Sequence, residues 1–466
     1  MTRGQDKVQP DWHKGLAILG GGLAGSEAAL TAARLGLSVT LVDMKPGQRS
    51  PAHSQAYFAE LVCSNSLKSK RPDTAQGLLK EELTSLGSSL IALAHDHALP
   101  AGGSLAVDRE NFSAAVTQSL KDHPGIRILE ERVEDLQPWL QAYAAVIVAT
   151  GPLTSGPLYQ NIQEMTGGEG LHFFDAVAPI VEADSIDREK SFFASRYDKG
   201  GPDYLNCPLT QEEYLAFRQA LMEADKAAIQ DFDAVYFKDC LPIEVLASRG
   251  EDTMRYGPLR PVGLIDPKTG KRPYACLQLR QEDKEAAMWS LVGCQTRLTF
   301  PEQRRVFGLI PALGQAHFLR YGVMHRNSFI QAPLVLKQGF QSRMEDRLFF
   351  AGQLSGLEGY VEAIASGHMA AIQASAHALG LTGEEGAAFL PPQETMMGAL
   401  AAWVTQAPAQ DYQPMNANFG LLPLDQLGQK IKKKERGTIR QARSAQAMQG
   451  VLARIRHFFM GEAAHD

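Results

Sequence analysis

The feature that most constrains the fold is a glycine-rich turn close to the start of the sequence. A short apolar run, Leu16–Leu19, leads directly into Gly20-Gly21-Gly22-Leu23-Ala24-Gly25. A helical pattern follows over residues 26–35, and a second apolar run ends at Asp43, 18 residues after Gly25. The order strand, glycine turn, helix, strand and acid predicts a βαβ unit with a parallel sheet.

Each glycine in this turn has a physical role in binding a dinucleotide. Gly20 permits the tight turn, Gly22 lets backbone amides approach a pyrophosphate, and Gly25 lets the helix pack closely on the strand. The amino end of the helix offers unpaired N–H groups to the phosphates. The predicted site comprises the six turn residues, Gly20, Gly21, Gly22, Leu23, Ala24 and Gly25, together with Asp43 as the partner of the ribose hydroxyls.

Two later segments repeat the pattern of a buried strand that ends in a glycine turn. The first is residues 145–151, ending in Thr150 and Gly151, and the second is residues 347–353, ending in Gly352 and Gln353. Such returning turns are typical of flavoproteins whose FAD domain is split, so FAD is the predicted dinucleotide. Many of those proteins have an aspartate where Gln353 stands, but an amide can make the same hydrogen bond to the ribityl chain. The alternative is that both segments are ordinary core strands.

The stretch from about residue 183 to residue 320 differs from the flanking segments in its pattern of apolar and polar residues. Residues 274–280 and 291–298 alternate apolar and polar side chains, which predicts half-exposed antiparallel strands. Residues 78–99 and 361–378 show helical patterns. The predicted architecture is therefore an α/β protein with a split FAD-binding Rossmann-like domain, residues 1–182 and 321–466, and an inserted mixed α+β domain, residues 183–320.

The charge of the chain is unevenly distributed. The formal net charge is −6, which taken alone argues against a nucleic-acid partner, but residues 430–456 contain nine lysines and arginines against one acid. This segment carries +8 and leaves −14 for the rest of the chain. An acidic body with a basic tail indicates a polyanionic partner, and a solvated surface helix is the alternative.

Cysteine usage separates two candidates for chemistry from three packing residues. The five cysteines form no C-x-x-C pair, which favours a reducing cytoplasm and argues against a disulfide scaffold or a structural zinc site. No signal peptide or membrane-spanning apolar run is apparent, so no membrane partner is expected. Cys63 and Cys240 have cations close in sequence, which favour the nucleophilic thiolate. Packing is the expected role of Cys276 and Cys294 and the alternative for Cys63 and Cys240.

Eight strings of residues carry a resemblance to a known family. They are GGGLAGSEAA (20–29), FAELVCSNS (58–66), PAGG with AVDR (100–103 and 106–109), ATGPLTS (149–155), SRYDKG (195–200), LPIEV (241–245), RYGVMHRN (320–327) and QPMNANFG (413–420). Together they resemble the TrmFO family, the bacterial folate- and FAD-dependent methyltransferases that make ribothymidine in the T-loop of tRNA. The resemblance runs from about residue 16 to residue 437, so the more distal basic residues receive no support from it.

The resemblance implies a chemistry that these residues can perform. Methylenetetrahydrofolate is the carbon donor, NAD(P)H is the reductant, FAD is the cofactor, and the T-arm of tRNA is the substrate. Cys240 matches the family's nucleophile, which adds to uracil C6. Cys63 matches its second functional cysteine, for which general base work or protection of the flavin adduct are the options. Tyr360 is either a stacking surface for flavin or folate, or ordinary core.

Some assignments stay open on the sequence alone. Arg109, Lys68, Lys70 and Arg71 are candidates for contacts with the folate glutamate or RNA phosphate, with surface salt bridges as the alternative. The same chemistry on a ribosomal RNA uridine remains possible. The residues are also compatible with an FAD-dependent modifier of wobble uridines, a small-molecule flavin oxidoreductase, and a non-catalytic RNA binder that keeps FAD for structure.

Overall fold

The structure, a computed structural model, describes residues 11–50, 53–154, 156–167, 170–198, 201–227, 241–423 and 435–461. Cys240 and the lysine run of Lys430, Lys432, Lys433 and Lys434 lie outside the described residues.

A five-stranded parallel sheet organises the larger part of the chain. Its strands, in spatial order, are β16 (Leu348–Phe350), β7 (Ala145–Val148), β1 (Leu16–Leu19), β2 (Val39–Asp43) and β6 (Ile126–Glu130). β1 is central and wholly buried, as expected for an apolar strand covered on both faces. Because β7 pairs parallel with β1, and β16 pairs parallel with β7, the two later glycine turns emerge at the same edge of the sheet as the first one. The predicted α/β class and the βαβ unit are confirmed.

A six-stranded antiparallel sheet is built entirely from residues 180–320. Its spatial order is β10 (Phe192–Phe193), β11 (Tyr204–Leu209), β12 (Ala275–Gln281), β13 (Met288–Leu291), β9 (Ile180–Glu182) and β14 (Phe318–Arg320). It has a hydrophobic core separate from that of the parallel sheet. β12 confirms an antiparallel strand at residues 274–280, but the predicted half-exposure is wrong, because residues 275–280 are buried on both faces of the strand. The strand predicted over residues 291–298 is wrong, because β13 ends at Leu291 and Gly293, at φ +75°, turns the chain away.

Smaller strands connect and flank the two sheets. β8 (Gly170–Ala176) and β15 (Met324–Ile330) pair antiparallel where the chain passes between the two cores. β3 (Ser66–Ser69), β5 (Ser104–Val107) and β4 (Ala98–Leu99) form a short antiparallel sheet next to the parallel one.

The described residues contain fifteen α-helices. They are α1 (Leu23–Arg34), α2 (Ala75–Ser85), α3 (Ser89–Asp96), α4 (Arg109–Asp122), α5 (Gln137–Ala142), α6 (Gly156–Thr166), α7 (Gln211–Glu223), α8 (Ile243–Ser248), α9 (Thr253–Tyr256), α10 (Phe300–Phe307), α11 (Ala332–Val335), α12 (Tyr360–Ala378), α13 (Glu384–Ala387), α14 (Met396–Gln406) and α15 (Arg436–Met460).

Two helical segments can be compared directly with their sequence patterns. The helical pattern over residues 78–99 is confirmed, but it forms two helices, α2 and α3, because Gly87 adopts φ +77° and the Ser88 side chain caps α3 by accepting from the Ile91 amide. The helix predicted over residues 361–378 is confirmed as α12. It crosses α1 so closely that a Cβ at Gly367 would lie 2.1 Å from the Ala24 carbonyl oxygen.

A buried carboxylate joins three helices of the larger core. Glu82 on α2 is 3 % exposed, and its carboxyl accepts hydrogen bonds from the Met396 and Met397 amides at 2.7 and 2.8 Å and from the Ser444 hydroxyl at 2.6 Å. It therefore caps α14 and ties α15 to the body. Burial raises the pKa of Glu82 to about 7, although these hydrogen bonds act in the opposite direction.

This shift predicts a pH dependence of stability. Because the folded-state pKa lies above the ordinary value of 4.5, Glu82 favours the folded state below about pH 4.5, and this contribution is lost as the pH rises towards 7. The unfolding free energy of the native chain should therefore fall relative to Glu82→Gln by about 1.4 kcal/mol per pH unit between pH 5 and 7. Denaturant titrations at several pH values measure it. Glu164→Gln on the surface of α6 is the control, and an equal slope in Glu82→Gln and native chains would contradict the prediction.

Candidate active site

The first glycine turn has the geometry that a dinucleotide requires. Gly20 adopts φ +105°, and a Cβ at Gly25 would lie 1.8 Å from the Gly20 carbonyl oxygen, so neither position accepts a side chain. By contrast, a Cβ at Gly22 would meet no protein atom within 4 Å. Gly22 and the amino end of α1, which begins with Leu23 and Ala24, thus face open space where a pyrophosphate can approach the backbone amides.

Asp43 is held in place beside this turn. One carboxylate oxygen accepts a hydrogen bond from the Gly21 amide at 2.6 Å, and the other accepts from the Lys45 amide at 2.8 Å. The side chain is only partly buried at the end of β2. It is therefore fixed in the position from which an acid contacts the ribose hydroxyls of a bound dinucleotide.

The two later turns converge on the first one. A Cβ at Gly20 would touch the Ala149 carbonyl, immediately before Thr150 and Gly151, and a Cβ at Gly352 would lie 3.1 Å from Cβ of Ala24. Gly151 adopts φ +78°, and a Cβ there would meet nothing within 4 Å. The Gln353 amide donates a hydrogen bond to the Glu358 carboxylate, which orients it at the start of the segment leading into α12. Three turns that meet around one open space fit an FAD molecule.

The loop that carries Cys63 is held by its backbone. The Arg109 guanidinium donates to the Leu61 carbonyl at 3.1 Å, and Arg320 donates to the Val62 carbonyl at 2.7 Å. The Tyr360 hydroxyl accepts from the amides of Cys63 at 2.7 Å and Ser64 at 3.0 Å. Burial raises the pKa of Tyr360, so the hydroxyl stays neutral at the first residue of α12.

The same loop lies at the junction of the two sheets. Asn65 receives a hydrogen bond from Arg280 of β12 at 2.6 Å and donates to the Gln281 carbonyl at 2.9 Å. Arg109 forms an ion pair with Glu282 at 2.6 Å, and the side chains of these two residues are 12 % and 2 % exposed. Parts of the chain that are far apart in sequence therefore fix the position of Cys63 together.

The cations beside Cys63 differ from those that the sequence indicated. Arg71 pairs with Asp73 at the surface, and Lys68 lies 3.8 Å from the Glu362 carboxylate. The guanidinium groups that hydrogen-bond to the backbone of the Cys63 loop are those of Arg109 and Arg320. Arg109 thus forms a salt bridge within the protein, but the pair is buried rather than at the surface. Arg320 was not among the predicted residues, although the string RYGVMHRN begins with it.

The other described cysteines behave as packing residues. Cys207, Cys276 and Cys294 are fully buried. Burial raises the pKa of the Cys276 thiol to about 12 and also raises those of Cys207 and Cys294, so none of the three is a thiolate at neutral pH.

The residues that directly follow Cys240 in sequence are firmly attached to the second core. The Ile243 amide donates to the Gln295 carbonyl at 2.8 Å. The Glu244 carboxylate, 3 % exposed, accepts from the Thr296 hydroxyl at 2.8 Å and from the Arg297 amide at 3.0 Å. The residues that follow Cys240 are thus fixed to residues 295–297 of the second core.

Metal-binding clusters and membrane-spanning helices are both absent from the described ranges. No group of three or more histidine, cysteine, aspartate or glutamate side chains there is arranged to hold a metal ion. None of the helices in these ranges has the length and apolar character needed to cross a membrane.

Comparison with known proteins shows the family. Residues 15–382 match the family model described as "Glucose inhibited division protein A". A Synechococcus sp. (strain CC9605) protein named "Methylenetetrahydrofolate--tRNA-(uracil-5-)-methyltransferase TrmFO" is 52 % identical over 421 residues, 88 % of this chain and 91 % of that protein. Proteins of the same name from Enterococcus faecalis and Geobacter sulfurreducens are each 50 % identical, over 91 % and 90 % of this chain and 95 % of each relative. The chain belongs to the TrmFO family.

Solved structures agree with the fold of this TrmFO-family chain. Aquifex aeolicus GidA in its form II crystal superposes with a TM-score of 0.67 at 15 % sequence identity, covering 94 % of this chain and 73 % of that one. At this identity the likeness concerns the fold alone, and it agrees with the predicted α/β Rossmann-like architecture.

Proposed function

We propose that this protein is a methylenetetrahydrofolate- and FAD-dependent methyltransferase that forms 5-methyluridine in the T-loop of tRNA, with NAD(P)H as reductant. The observation that carries the proposal is the site itself: three glycine turns open towards a dinucleotide, and Tyr360 links this site to the Cys63 loop. The names of relatives at about 50 % identity across nearly the whole chain support the substrate and the carbon donor.

The chemistry requires a nucleophile and a base from the protein. Uracil C5 is a poor nucleophile until the thiolate of Cys240 adds to C6, which moves electron density through the enolate to C5. C5 then forms a bond to the one-carbon unit. A base removes the C5 proton, and the electrons of the C5–H bond expel the thiolate and restore the C5–C6 double bond. The methylene carbon on C5 becomes a methyl group when its bond to the carrier nitrogen breaks, the electrons of that bond leaving on the nitrogen, and a hydride equivalent derived from NAD(P)H takes its place. FAD, when bound, supplies reducing equivalents and carries the one-carbon unit.

Residues of this chain have separate tasks in the scheme. The amides of the turn of residues 20–25 bind the FAD pyrophosphate, and Asp43 binds the ribose. The residues of the two later turns line the part of the site that extends from the pyrophosphate to the flavin ring; they are Thr150, Gly151, Gly352 and Gln353. The flavin ring lies at the amino end of α12. Cys63, whose loop Arg109 and Arg320 hold, is the candidate base. The positive end of α12 would stabilise anionic reduced flavin next to Tyr360.

We further propose the domain division and the location of the protein in the cell. Two hydrophobic cores support a split FAD-binding domain, residues 1–182 and 321–466, and an inserted domain, residues 183–320, with the first boundary moved back to about residue 179 because β9 belongs to the antiparallel sheet and Val181 to the second core. The sparse cysteines without C-x-x-C spacing support a reducing cytoplasm.

One assay tests the function. Purified protein is incubated with an unmodified tRNA transcript, methylenetetrahydrofolate and NAD(P)H, and 5-methyluridine is measured by nucleoside mass spectrometry. Product on tRNA is expected, and it should disappear when the folate is left out. Product on ribosomal RNA but not on tRNA would show that ribosomal RNA is the substrate. No product on any RNA would favour a small-molecule oxidoreductase or a binding protein.

The basic segment should contribute phosphate contacts. Neutralising Lys432, Lys433 and Lys434 together is expected to weaken tRNA binding and to reduce the slope of log K against log salt by up to about three, because each phosphate contact releases counterions. Filter binding at several salt concentrations measures this. The control is a triple glutamine variant of Lys121, Lys190 and Lys271, which lie far apart in sequence. An unchanged slope for the variant of Lys432, Lys433 and Lys434 would show that the basic segment is a solvated surface without phosphate contacts.

A further inference from the structure

Three aromatic rings form a stack that runs from the second core to the protein surface. Phe318 and Tyr321 are nearly parallel, with centroids 5.5 Å apart and planes at 4°, and Tyr321 and Phe300 are 4.5 Å apart at 15°. At its inner end Phe318 contacts Phe307, which is fully buried. At its outer end Phe300 is 49 % exposed. A parallel stack that ends in a half-exposed ring offers its last face to another flat π-system.

The stack is held rigidly by a buried amide. Gln303 on α10 is fully buried, and its side chain donates to the Leu298 carbonyl at 2.7 Å and to the Gly322 carbonyl at 2.8 Å, while its oxygen accepts from the Gly322 amide at 2.7 Å. These bonds join the start of α10, where Phe300 lies, to the residues around Tyr321. The outer ring is therefore positioned before any ligand arrives, which lowers the entropy cost of binding.

The stack lies beside the Cys63 loop. Arg320, the residue directly before Tyr321, donates the 2.7 Å hydrogen bond to the Val62 carbonyl. The segment that follows Cys240 is attached to the neighbouring residues 295–297, just before Phe300 in sequence. The stack is thus connected to the Cys63 loop and to residues 243 and 244, which follow Cys240 in sequence, through one or two hydrogen bonds.

A cation lies beside the middle ring of the stack, on the helix that begins with Phe300. The Arg304 guanidinium lies 5.9 Å from the centroid of the Tyr321 ring. Its neighbour Arg305 is paired with Glu302 at 2.6 Å, whereas in the described part of the chain no carboxylate forms an ion pair with Arg304. A flat ring face with an adjacent cation complements a nucleobase and its phosphate.

We propose that Phe300, backed by Tyr321 and Phe318, is a stacking platform for one unstacked nucleobase of the RNA substrate, with Arg304 contacting the adjoining phosphate. This rests on the proposed function, because the occupant is a base of the tRNA loop that presents its uridine to the cysteines. Loop bases are unstacked at lower cost than bases in a duplex, so a ring platform suits a loop.

Two variants of Phe300 test the platform. Phe300→Ala should weaken binding of an unmodified T-arm hairpin about tenfold and raise KM for that RNA, because base stacking on an aromatic ring is lost. Phe300→Trp should restore binding, and its fluorescence should be quenched when the hairpin is added. Phe193→Ala is the control, since Phe193, in β10 of the antiparallel sheet, is 52 % exposed and also has an arginine near its ring. The FAD absorbance of each variant reports its folding.

The outcomes separate this proposal from the proposed function. The platform would be overturned if Phe300→Ala bound the hairpin within twofold of the native protein, or if Phe300→Trp showed no quenching. Neither result would count against the proposed methyltransferase function. Quenching by methylenetetrahydrofolate alone would assign the ring to folate. A change in molecular mass on size exclusion between native protein and Phe300→Ala would assign it to a subunit contact. Failure of the native protein to bind or methylate any RNA would instead reject the proposed function.

Discussion

Cys240→Ala is expected to leave a yellow protein with its full complement of FAD that no longer methylates tRNA. The residues that fit FAD are the three glycine turns and Asp43, and none of them involves residue 240. Loss of the thiolate removes the covalent activation of uracil C5, so we expect methylation to fall by more than about 10³-fold. Single-turnover formation of 5-methyluridine, measured beside the flavin absorbance, gives both quantities.

A matched cysteine variant controls for a general effect of removing a thiol. Cys207 is fully buried in β11, so Cys207→Ala should cost some stability and keep methylation. Cys63→Ala should also keep FAD and lower methylation, by about 10²- to 10⁴-fold if Cys63 is the base. Methylation by Cys240→Ala near the native rate would remove Cys240 from the mechanism.

The second large effect is expected from the buried ion pair behind the Cys63 loop. Arg109→Met leaves the Glu282 carboxylate, 2 % exposed, without the cation that lies 2.6 Å away. Arg280, 3.7 Å from Glu282, compensates only in part. Breaking a buried pair by removing one partner costs about 3–5 kcal/mol of unfolding free energy. Urea titration followed by the loss of flavin and circular dichroism signals measures this.

A double variant separates stability from positioning. Arg109→Met with Glu282→Met removes both charges, and stability should return close to that of the native protein. Methylation should remain about 10²-fold below the native rate, because the Leu61 carbonyl still lacks the hydrogen bond that helps to hold the Cys63 loop. Recovery of both stability and methylation in the double variant would show that Arg109 acts only on folding.

Local patterns in the sequence were sufficient for the dinucleotide turn and the fold class. Gly20, Gly22 and Gly25 are separated by fixed intervals on one short segment, so their roles follow from local backbone geometry. The break between α2 and α3 does not follow from the apolar pattern, which continues across Gly87 and Ser88 although these are turn and cap residues. The end of β13 is hidden for a similar reason: residues 291–298 alternate in polarity, yet Gly293 turns the chain.

Local sequence patterns could not predict which residues surround Cys63. The sequence suggested Lys68, Lys70 and Arg71, which are close along the chain, whereas the groups that hold the loop are Arg109, Arg320 and Tyr360. These residues are separated from Cys63 by 46 to 297 positions. No periodicity or spacing encodes such contacts, since they arise only when two cores pack against each other.

By itself, the sequence therefore determined a βαβ dinucleotide turn, a split flavoprotein fold and two candidate cysteines. Each of these depends on residue types at short, regular intervals, where backbone geometry and hydrophobic periodicity act. Only the tertiary structure decided which cations face Cys63, that Glu82 joins three helices, and that three aromatic rings stack up to Phe300. Those features need side chains from distant segments to share one buried space, and long-range packing alone brings them together.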